Sequence, residues 1–313
     1  MDTYLYISFY TFFISFVLYS FFILYQKKRR IGQVVRIEGP KEHLKKNGTP
    51  TMGGIIFVLI SILFIILNFN NNYYLLNIIL IPFIGYFIIG LLDDLKILKE
   101  KNNKGVKPLL KFILQLLIPL LIYYFLDNNT KVNIFNNIID FKYFYPIFIL
   151  LMYISTTNAV NLTDGIDGLA SGLILINLIT YFIIAYHKNE ILIMIFILII
   201  ISALLSYFIF NFNPASIIMG NCGSLALGGL IVSLSILLKV EFYLIFFGFI
   251  YLIETLSVII QVSYYKITKG KRVFLMTPIH HHFELKGYSE KQICFGFYLI
   301  QIIIDVIILW IIL

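Results

Sequence analysis

Two neighbouring aspartates, Asp93 and Asp94, end a long apolar stretch of the chain. Successive side chains on a helix point about 100° apart, so the two carboxylates cannot share one task. One can face a metal ion or a substrate while the other orients a lysine or acts as a base. Negative charge at a helix C-terminus opposes the helix dipole, so a bound cation or Lys96 and Lys99 should compensate it.

A second polar run covers residues 158–168 and places Asn158, Asn161, Asp164 and Asp167 at every third position. This spacing predicts one polar face on a single helix. Acids next to apolar spans are energetically costly, and they usually mark a functional site inside the bundle. A structural polar ladder between helices is the alternative interpretation.

Two glycine-containing segments are suited to anionic ligands. Residues 46–54 combine Lys46 and Thr51 with three glycines, which together favour phosphate binding, although a plain loop before a packed helix fits as well. Residues 219–224 open an apolar stretch with Gly220 and Asn221. A helix N-terminus there would present free N–H groups to an anion, and the simpler alternative is that Asn221 caps the helix.

Three consecutive histidines, His280, His281 and His282, follow a basic loop. They cannot all point into one site, but one or two can contact a phosphate in either protonation state. A zinc site is a weaker alternative, because metal-binding histidines are usually spaced to share a face. Upstream, Glu254, Ser257 and Gln261 form a polar stripe that either lines a cavity or joins helices; Asp305 has no assigned role.

Composition indicates what positions these residues. The 313 residues are 60% hydrophobic and 13% charged, with a mean hydropathy of +0.93, which excludes a soluble globular chain. Spans of this length must be helices, since lipid satisfies no backbone hydrogen bonds. The prediction is an all-α bundle forming one polytopic domain, 1–313, with ten spans near 3–25, 52–68, 74–92, 109–126, 143–160, 169–186, 191–208, 222–239, 242–265 and 292–312.

Charge predicts the orientation of these spans. Of the 24 Lys and Arg residues, all but four lie in segments on one side of the predicted spans, so that side is inside and both termini are outside. The four exceptions are Lys131, Lys142, Lys188 and Lys239. The inner side also carries the acids and histidines described above. The net charge of +8 is therefore an orientation signal, compatible with anionic lipid and phosphate-bearing substrates but not indicative of nucleic acid.

Two smaller expectations concern the remaining sequence. A small β-hairpin is predicted outside, near 131–141, around a turn at Asn136 and Asn137. Cys222 and Cys294 lie near the inner side, where a structural disulfide is not expected.

Taken in order, these motifs resemble the phospho-N-acetylmuramoyl-pentapeptide transferases, integral membrane enzymes of peptidoglycan synthesis. The resemblance covers nearly the whole chain. It rests on Gly-Thr-Pro-Thr-Met-Gly-Gly at 48–54, Asp-Asp at 93–94, the run at 158–168, Gly-Ser-Leu-Ala-Leu-Gly-Gly at 223–229 and Pro-Ile-His-His-His-Phe-Glu at 278–284.

The resemblance implies transfer of phospho-MurNAc-pentapeptide from UDP-MurNAc-pentapeptide to undecaprenyl phosphate, giving lipid I and UMP with Mg²⁺. It also implies a bacterial plasma (inner) membrane protein active on the cytoplasmic face, and it is compatible with a homodimer. The implied catalytic residues are Asp93, Asp94 and His280. The implied substrate contacts are Lys46, Thr51, Lys111, Asn161, Asp164, Asp167, Gly220, Gln261 and His281. The implied metal ligands are Asp93, Asp94 and position 221.

One departure stands out. The family usually reads Phe-Met-Gly-Asp at the entrance of the eighth span, with that Asp a principal magnesium ligand, whereas this chain reads Ile218-Met219-Gly220-Asn221. An amide oxygen can coordinate Mg²⁺ but adds no charge, so binding should be weaker. Ile218 also removes an aromatic ring expected to stack on uracil. The metal is held differently, the change was introduced to silence the protein, or activity has been lost.

Two other functions stay open at this point. A related polyprenyl-phosphate N-acetylhexosamine-1-phosphate transferase shares the superfamily, although the segment at 278–284 argues against it. A non-catalytic lipid-binding scaffold or transporter is favoured only by Asn221. Transporters often contain inverted repeats with acids near the membrane midplane, and neither feature is detectable here.

Overall fold

The computed structural model describes residues 2–33, 46–69, 73–101, 105–126, 130–135 and 137–313. Its helices are α1 (Asp2–Arg29), α2 (Gly54–Asn68), α3 (Tyr73–Glu100), α4 (Pro108–Phe125), α5 (Tyr145–Thr163), α6 (Leu169–His187), α7 (Ile191–Asn211), α8 (Asn221–Leu237), α9 (Leu244–Phe247), α10 (Phe249–Ile267), α11 (Ile279–Leu285) and α12 (Glu290–Ile312). A two-stranded sheet of β1 (Lys131–Ile134) and β2 (Asn137–Asp140) lies between α4 and α5, followed by a 3-10 turn at Lys142–Phe144.

The chain is a helical membrane protein. Seven of the described helical segments are long and apolar enough to cross a bilayer, namely those containing α1, α3, α4, α5, α6, α7 and α12. Two other predicted spans form shorter apolar helices, α2 and α8. At 1.5 Å per residue their 15 and 17 residues extend only about 22 and 26 Å, less than a hydrocarbon core of about 30 Å.

The predicted ninth span, 242–265, is not one continuous helix. It is interrupted at Gly248, between α9 and α10. The carbonyls of Phe246 and Phe247 accept hydrogen bonds of 3.0 and 2.7 Å from the side-chain amides of Gln301 and Asn177. These amides satisfy backbone groups near the interruption, which is how a broken helix becomes tolerable in an apolar bundle.

Helix α8 lies at the centre of the bundle, with every residue from Cys222 to Ile236 buried. Small residues allow its close approach to neighbouring helices. A Cβ at Gly90 of α3 would collide with the Asn221 carbonyl, and one at Gly54 of α2 would collide with the Gly223 backbone. Close backbone packing of this kind is typical of membrane helices, and it brings the start of α8 against the end of α3.

The predicted hairpin is confirmed as a structure. Strands β1 and β2 pair antiparallel, with Lys131 opposite Asp140 and Ile134 opposite Asn137. Asn137 was predicted in the turn but is the first residue of β2, and Asn136 lies outside the described residues. Cys222 and Cys294 are buried and free, in agreement with the expectation of no disulfide.

Candidate active site

Asp94 caps the N-terminus of α8. Its Oδ1 accepts a hydrogen bond of 3.0 Å from the backbone N–H of Asn221, and its Oδ2 accepts one of 3.0 Å from that of Cys222. The first N–H groups of a helix have no partner within the helix and carry partial positive charge, so this carboxylate is stabilised there. The anion predicted at this helix start is thus supplied by the chain itself.

Asp93 points to different partners, as the predicted angle between the two side chains requires. Its Oδ2 accepts hydrogen bonds from Lys111 Nζ at 2.8 Å and from Asn221 Nδ2 at 3.1 Å. Its Oδ1 accepts one from the Val106 backbone at 2.6 Å. The compensating cation is therefore Lys111 of α4.

The sequence left two sources of compensation open, a cation or Lys96 and Lys99, and Lys96 does not serve, because its ammonium lies 3.7 Å from Glu100. Residues three and four positions apart share a helix face, so Lys96 pairs along α3 with Glu100. The acids at 93 and 94 instead meet α4 and α8, because those helices pack against the end of α3.

Asn221 joins the acids to α5. It is the first residue of α8, and Gly220 precedes it at the cap position, so Asn221 is not the N-cap. Its Oδ1 accepts a hydrogen bond of 2.6 Å from Asn161 Nδ2, which also donates to Ser224 Oγ at 2.8 Å. One amide side chain therefore contacts both Asp93 and Asn161.

Asp94, Asn161 and Asn221 border a cavity of about 140 Å³, which we call the acid cavity. It brings together six of the residues predicted at the site: Thr51, Asp94, Asn161, Asp164, Gly220 and Asn221. Its wall also contains Gln33, Ile97, Leu98 and Ile218. Ile218 thus borders the cavity, at the position where the resemblance implies an aromatic ring.

The positions of Gly220 and Thr51 at the acid cavity are fixed by backbone conformation and backbone hydrogen bonds. Gly220 has φ +78°, and a Cβ on it would lie 2.6 Å from Asp94 Oδ2, so no other residue fits there without displacement. Thr51 is fixed by Gln26 of α1, whose side-chain amide donates to the Thr51 carbonyl and accepts from its N–H, both at 2.9 Å.

Asp164 is the carboxylate most available to a ligand. It follows the last residue of α5, is half-buried, and accepts no hydrogen bond from the residues that the structure describes. Burial raises its pKa well above the ordinary value of 3.8, and the nearby charges of Asp94 and Asp167 raise it further. A cation in the acid cavity would relieve this cost.

The predicted single polar face at 158–168 is wrong, because α5 ends at Thr163. Asn158 turns to Gln115 of α4, to whose side chain it donates at 3.1 Å. Only Asn161 and Asp164 border the acid cavity. Asp167 lies in the loop beyond the helix, and its side chain contacts Lys46 instead of the acid cavity.

Asp167 belongs to a separate polar cluster with Lys46. Lys46 Nζ lies 2.7 Å from Asp167 Oδ1 and 2.6 Å from Glu290 Oε1. Asp167 Oδ2 also accepts from the Ala215 backbone at 2.9 Å, and Glu290 Oε2 from Asn213 Nδ2 at 3.1 Å. Burial lowers the pKa of Lys46, but the charges of Asp167 and Glu290 outweigh it and raise the pKa above 10.5.

The three histidines have three different environments. His280 is fully buried, with Nδ1 3.0 Å from Glu254 Oε1, and its Nε2 abuts Gly165, next to Asp164. His281 Nδ1 lies 2.6 Å from Glu284 Oε2. His282 accepts the Leu275 N–H at 3.2 Å. Of the three histidines, His280 is the one that contacts the loop carrying Asp164. Glu254 is buried because it lies against the His280 ring.

Gln261 lies away from the acid cavity. Its Oε1 accepts the N–H groups of Val273 and Phe274, both at 3.0 Å, and its Nε2 donates to the Phe274 carbonyl at 3.1 Å. The stripe of Glu254, Ser257 and Gln261 is buried. Gln261 holds the segment before α11, and Glu254 accepts the His280 N–H within α11 at 3.5 Å. Asp305, which has no assigned role, accepts hydrogen bonds from Thr180 and Gln301 in the bundle core.

Sequence reasoning missed Gln33, Asn213 and Glu290. Glu290 follows the helix cap Ser289, and an acid in the first turn of a helix is an ordinary feature. Only tertiary packing shows that it contacts Lys46 and the Asp167 backbone N–H, the latter at 2.9 Å. Gln33 carries no motif signal; its backbone pairs with Gly48 and Thr49, which brings it to the cavity wall.

The donor set can be tested against magnesium. Among the described residues, no three His, Cys, Asp or Glu side chains group as a metal site. The acid cavity does contain the unpaired Asp164 carboxylate and the Asn221 amide oxygen. Mg²⁺ commonly binds through one or two carboxylates and keeps water and substrate phosphates as its other ligands. The residues present therefore fit a magnesium ion held partly by substrate.

The chain is similar in sequence to known proteins of one family. The family model described as glycosyl transferase family 4 matches residues 75–239, and the phospho-N-acetylmuramoyl-pentapeptide-transferase signature 1 matches residues 46–58. A phospho-N-acetylmuramoyl-pentapeptide-transferase of Dictyoglomus turgidum is 44% identical over 99% of both chains. One of Staphylococcus saprophyticus is 43% identical over 95% of this chain and 96% of its own.

Proposed function

The chain belongs to the phospho-N-acetylmuramoyl-pentapeptide-transferase family, and we propose that it catalyses the reaction for which that family is named. Phospho-MurNAc-pentapeptide would pass from UDP-MurNAc-pentapeptide to undecaprenyl phosphate, giving lipid I and UMP. The observation that carries the proposal is the acid cavity, where Asp94, Asp164 and Asn221 from three helical regions converge on one space.

The bond changes suit such a cavity. A phosphate oxygen of the lipid attacks the sugar-bound phosphorus, and the bond from that phosphorus to the oxygen of UMP breaks. One pyrophosphate link replaces another, so the protein must mainly position the reactants and balance negative charge. A bound magnesium ion would supply charge neutralisation, with Asp164 and Asn221 as its protein ligands.

The two neighbouring aspartates would have unequal roles. Asp94 borders the acid cavity, whereas Asp93 binds Lys111 and Asn221 beside it. We therefore assign the contact with the acceptor phosphate to Asp94 and the positioning of Lys111 and Asn221 to Asp93. His280, buried against Gly165, would fix the loop that carries Asp164.

Lys46 and Asp167 would bind the donor substrate from a position beside the acid cavity. Their cluster with Glu290 adjoins the acid cavity through the 164–168 loop and keeps the Lys46 ammonium charged. Gln261 and His281 would act by holding the segments around α11 rather than by entering the acid cavity. Gly220 would act on substrate binding through Asp94, because a Cβ at position 220 would displace that carboxylate.

The membrane arrangement extends this proposal. We infer that α2, α8 and α10 also span the bilayer, giving ten spans in one domain, 1–313, with both termini outside. The supporting observation is the concentration of Lys and Arg in alternate connecting segments. The acid cavity would then open to the cytoplasm, where a soluble nucleotide donor can reach a lipid acceptor in the plasma (inner) membrane. A homodimer stays a prediction.

Substrate choice can be tested by exchanging donors. Purified protein in vesicles with undecaprenyl phosphate and Mg²⁺ should release UMP from UDP-MurNAc-pentapeptide and not from UDP-N-acetylglucosamine. The reverse preference would indicate the related N-acetylhexosamine-1-phosphate transferase. Release from neither donor by this chain, together with release after Asn221→Asp, would identify a homologue impaired at position 221.

A further inference from the structure

A second cavity, of about 290 Å³, lies at the C-terminal end of α10, and we call it the basic cavity. Its wall combines the apolar or aromatic side chains of Val262, Tyr265 and Met276 with the cations Lys266 and Arg272. It shares no lining residue with the acid cavity. A concave apolar wall with two cations suits a ligand that has both an anionic and an apolar part.

Among the residues that the structure describes, the cations of this region have no acidic partner. Between Glu254 and Glu284 the sequence contains no Asp or Glu, while Lys266, Lys269, Lys271 and Arg272 crowd within seven positions. In the part of the chain that the structure describes, none of these four cations forms an ion pair. Arg272 makes one weak contact, 3.4 Å to the Leu275 carbonyl. The positive charge is therefore available to an external anion.

Exposed apolar side chains surround the same cations. Ile267 is 81% exposed, and Val273 and Leu275 are about half exposed. Aliphatic side chains that alternate with lysine and arginine at a helix end are typical of a segment lying at the interface between lipid and water. The anionic ligand expected there is a lipid whose phosphate is at the membrane surface.

The chemistry of the wall distinguishes two kinds of lipid phosphate. A reacting acceptor phosphate must enter the acid cavity, which contains Asp94 and Asp164. The lining of the basic cavity contains no carboxylate and no histidine that could act on a phosphate. We propose that the basic cavity binds the phosphate of an anionic phospholipid of the cytoplasmic leaflet, with Lys266 and Arg272 as its ligands.

Such a lipid would also stabilise the approach to α11. Gln261 borders the basic cavity and holds the backbone of Val273 and Phe274. That segment leads directly to His280. A phosphate bound to Arg272 would therefore order the same loop from its other side. This binding site is independent of the transferase proposal, because its test measures lipid retention and not turnover.

The test compares two double variants of the full chain. Lys266→Gln with Arg272→Gln removes both cations of the cavity. Lys269→Gln with Lys271→Gln removes the same charge from the loop after α10, outside the cavity lining. Native mass spectrometry of detergent-purified protein with phosphatidylglycerol, phosphatidylcholine or undecaprenyl phosphate gives the apparent affinity for each lipid, and thermal unfolding confirms that both variants fold.

We expect the cavity variant to lose about tenfold or more in phosphatidylglycerol affinity, with the control changed by less than about threefold. Phosphatidylcholine, which has no net charge, should bind weakly to every form. Lys266→Arg should retain binding, because it keeps the charge. Equal losses in both double variants would show surface charge alone and overturn the proposal. No loss in either variant, or a loss confined to undecaprenyl phosphate, would overturn it as well.

Discussion

The side-chain amide of Asn221 donates a hydrogen bond of 3.1 Å to the carboxylate of Asp93. An aspartate at position 221 could not donate this bond, and its charge would face Asp93 directly. The amide thus adds a hydrogen-bond donor and no negative charge to a cluster that already contains Asp93 and Asp94. With aspartate, the same cluster would need a cation to offset a third negative charge.

This relationship predicts the metal dependence of Asn221→Asp. A carboxylate oxygen should replace the neutral amide oxygen as a magnesium ligand, so half-maximal UMP release should need about tenfold less Mg²⁺, equivalent to ~1.4 kcal/mol. A magnesium titration of both proteins measures the change. An identical requirement in the two proteins would exclude position 221 as a ligand.

The same variant carries an internal control. Without divalent ions, Asn221→Asp should lower the unfolding temperature, because Asp93 loses a donor and gains a like charge, at a cost of about 1–3 kcal/mol. Added Mg²⁺ should restore stability in the variant and affect the original protein less. Equal responses of the two proteins to Mg²⁺ would contradict this account of the cluster.

The ionised Asp164 carboxylate should lower the stability of the folded protein, although the proposed reaction requires it. Because burial and neighbouring acids raise its pKa above 3.8, its contribution to stability is complete below pH 3.8 and is lost as pH rises to its raised pKa. Asp164→Asn should therefore unfold at a higher temperature than the original protein near neutral pH while releasing much less UMP. Melting curves from about pH 4 to pH 8 should separate with rising pH, and parallel curves would argue against the unpaired carboxylate.

The pairing of Lys111 with Asp93 should appear as coupling between two mutations. Lys111→Met removes the only cation described on Asp93, and Asp93→Asn removes the charge it offsets. Each change should destabilise the protein, and the double variant should cost less than the sum, by about 0.5–3 kcal/mol. Unfolding free energies in detergent give the cycle. Simple additivity would mean that the pair contributes no interaction energy.

Glu290 should act on donor binding through Lys46. Glu290→Gln keeps the shape of the side chain but removes one of the two negative charges beside the Lys46 ammonium. It also turns one of the two accepting oxygens, which face Lys46 and the Asp167 N–H, into an amide NH2 group. We expect a KM for UDP-MurNAc-pentapeptide raised by about three- to tenfold with little change in kcat, since position and not chemistry is affected. Lys96→Gln, which breaks a surface pair elsewhere, is the matched control. A loss confined to kcat would assign Glu290 another role.

Features that depend on local sequence were predictable, whereas features that depend on tertiary packing were not. Apolar length predicted where helices lie, and spacing predicted that Asp93 and Asp94 face different partners. The end of α5 at Thr163 was not predictable from spacing, so Asp167 was placed on the wrong face. The interruption at Gly248 depends on Gln301 and Asn177, which are remote in sequence. The partners of Lys46 and Lys111 likewise depend on tertiary packing, which no local pattern encodes.

The most direct test of the central claim is UMP release from UDP-MurNAc-pentapeptide by purified protein in vesicles containing undecaprenyl phosphate and Mg²⁺. We predict release that requires both substrates, that rises with Asn221→Asp at limiting Mg²⁺, and that falls by about 100-fold or more with Asp164→Asn. Absence of release from both the original chain and Asn221→Asp would contradict the assignment of the acid cavity as a transferase site.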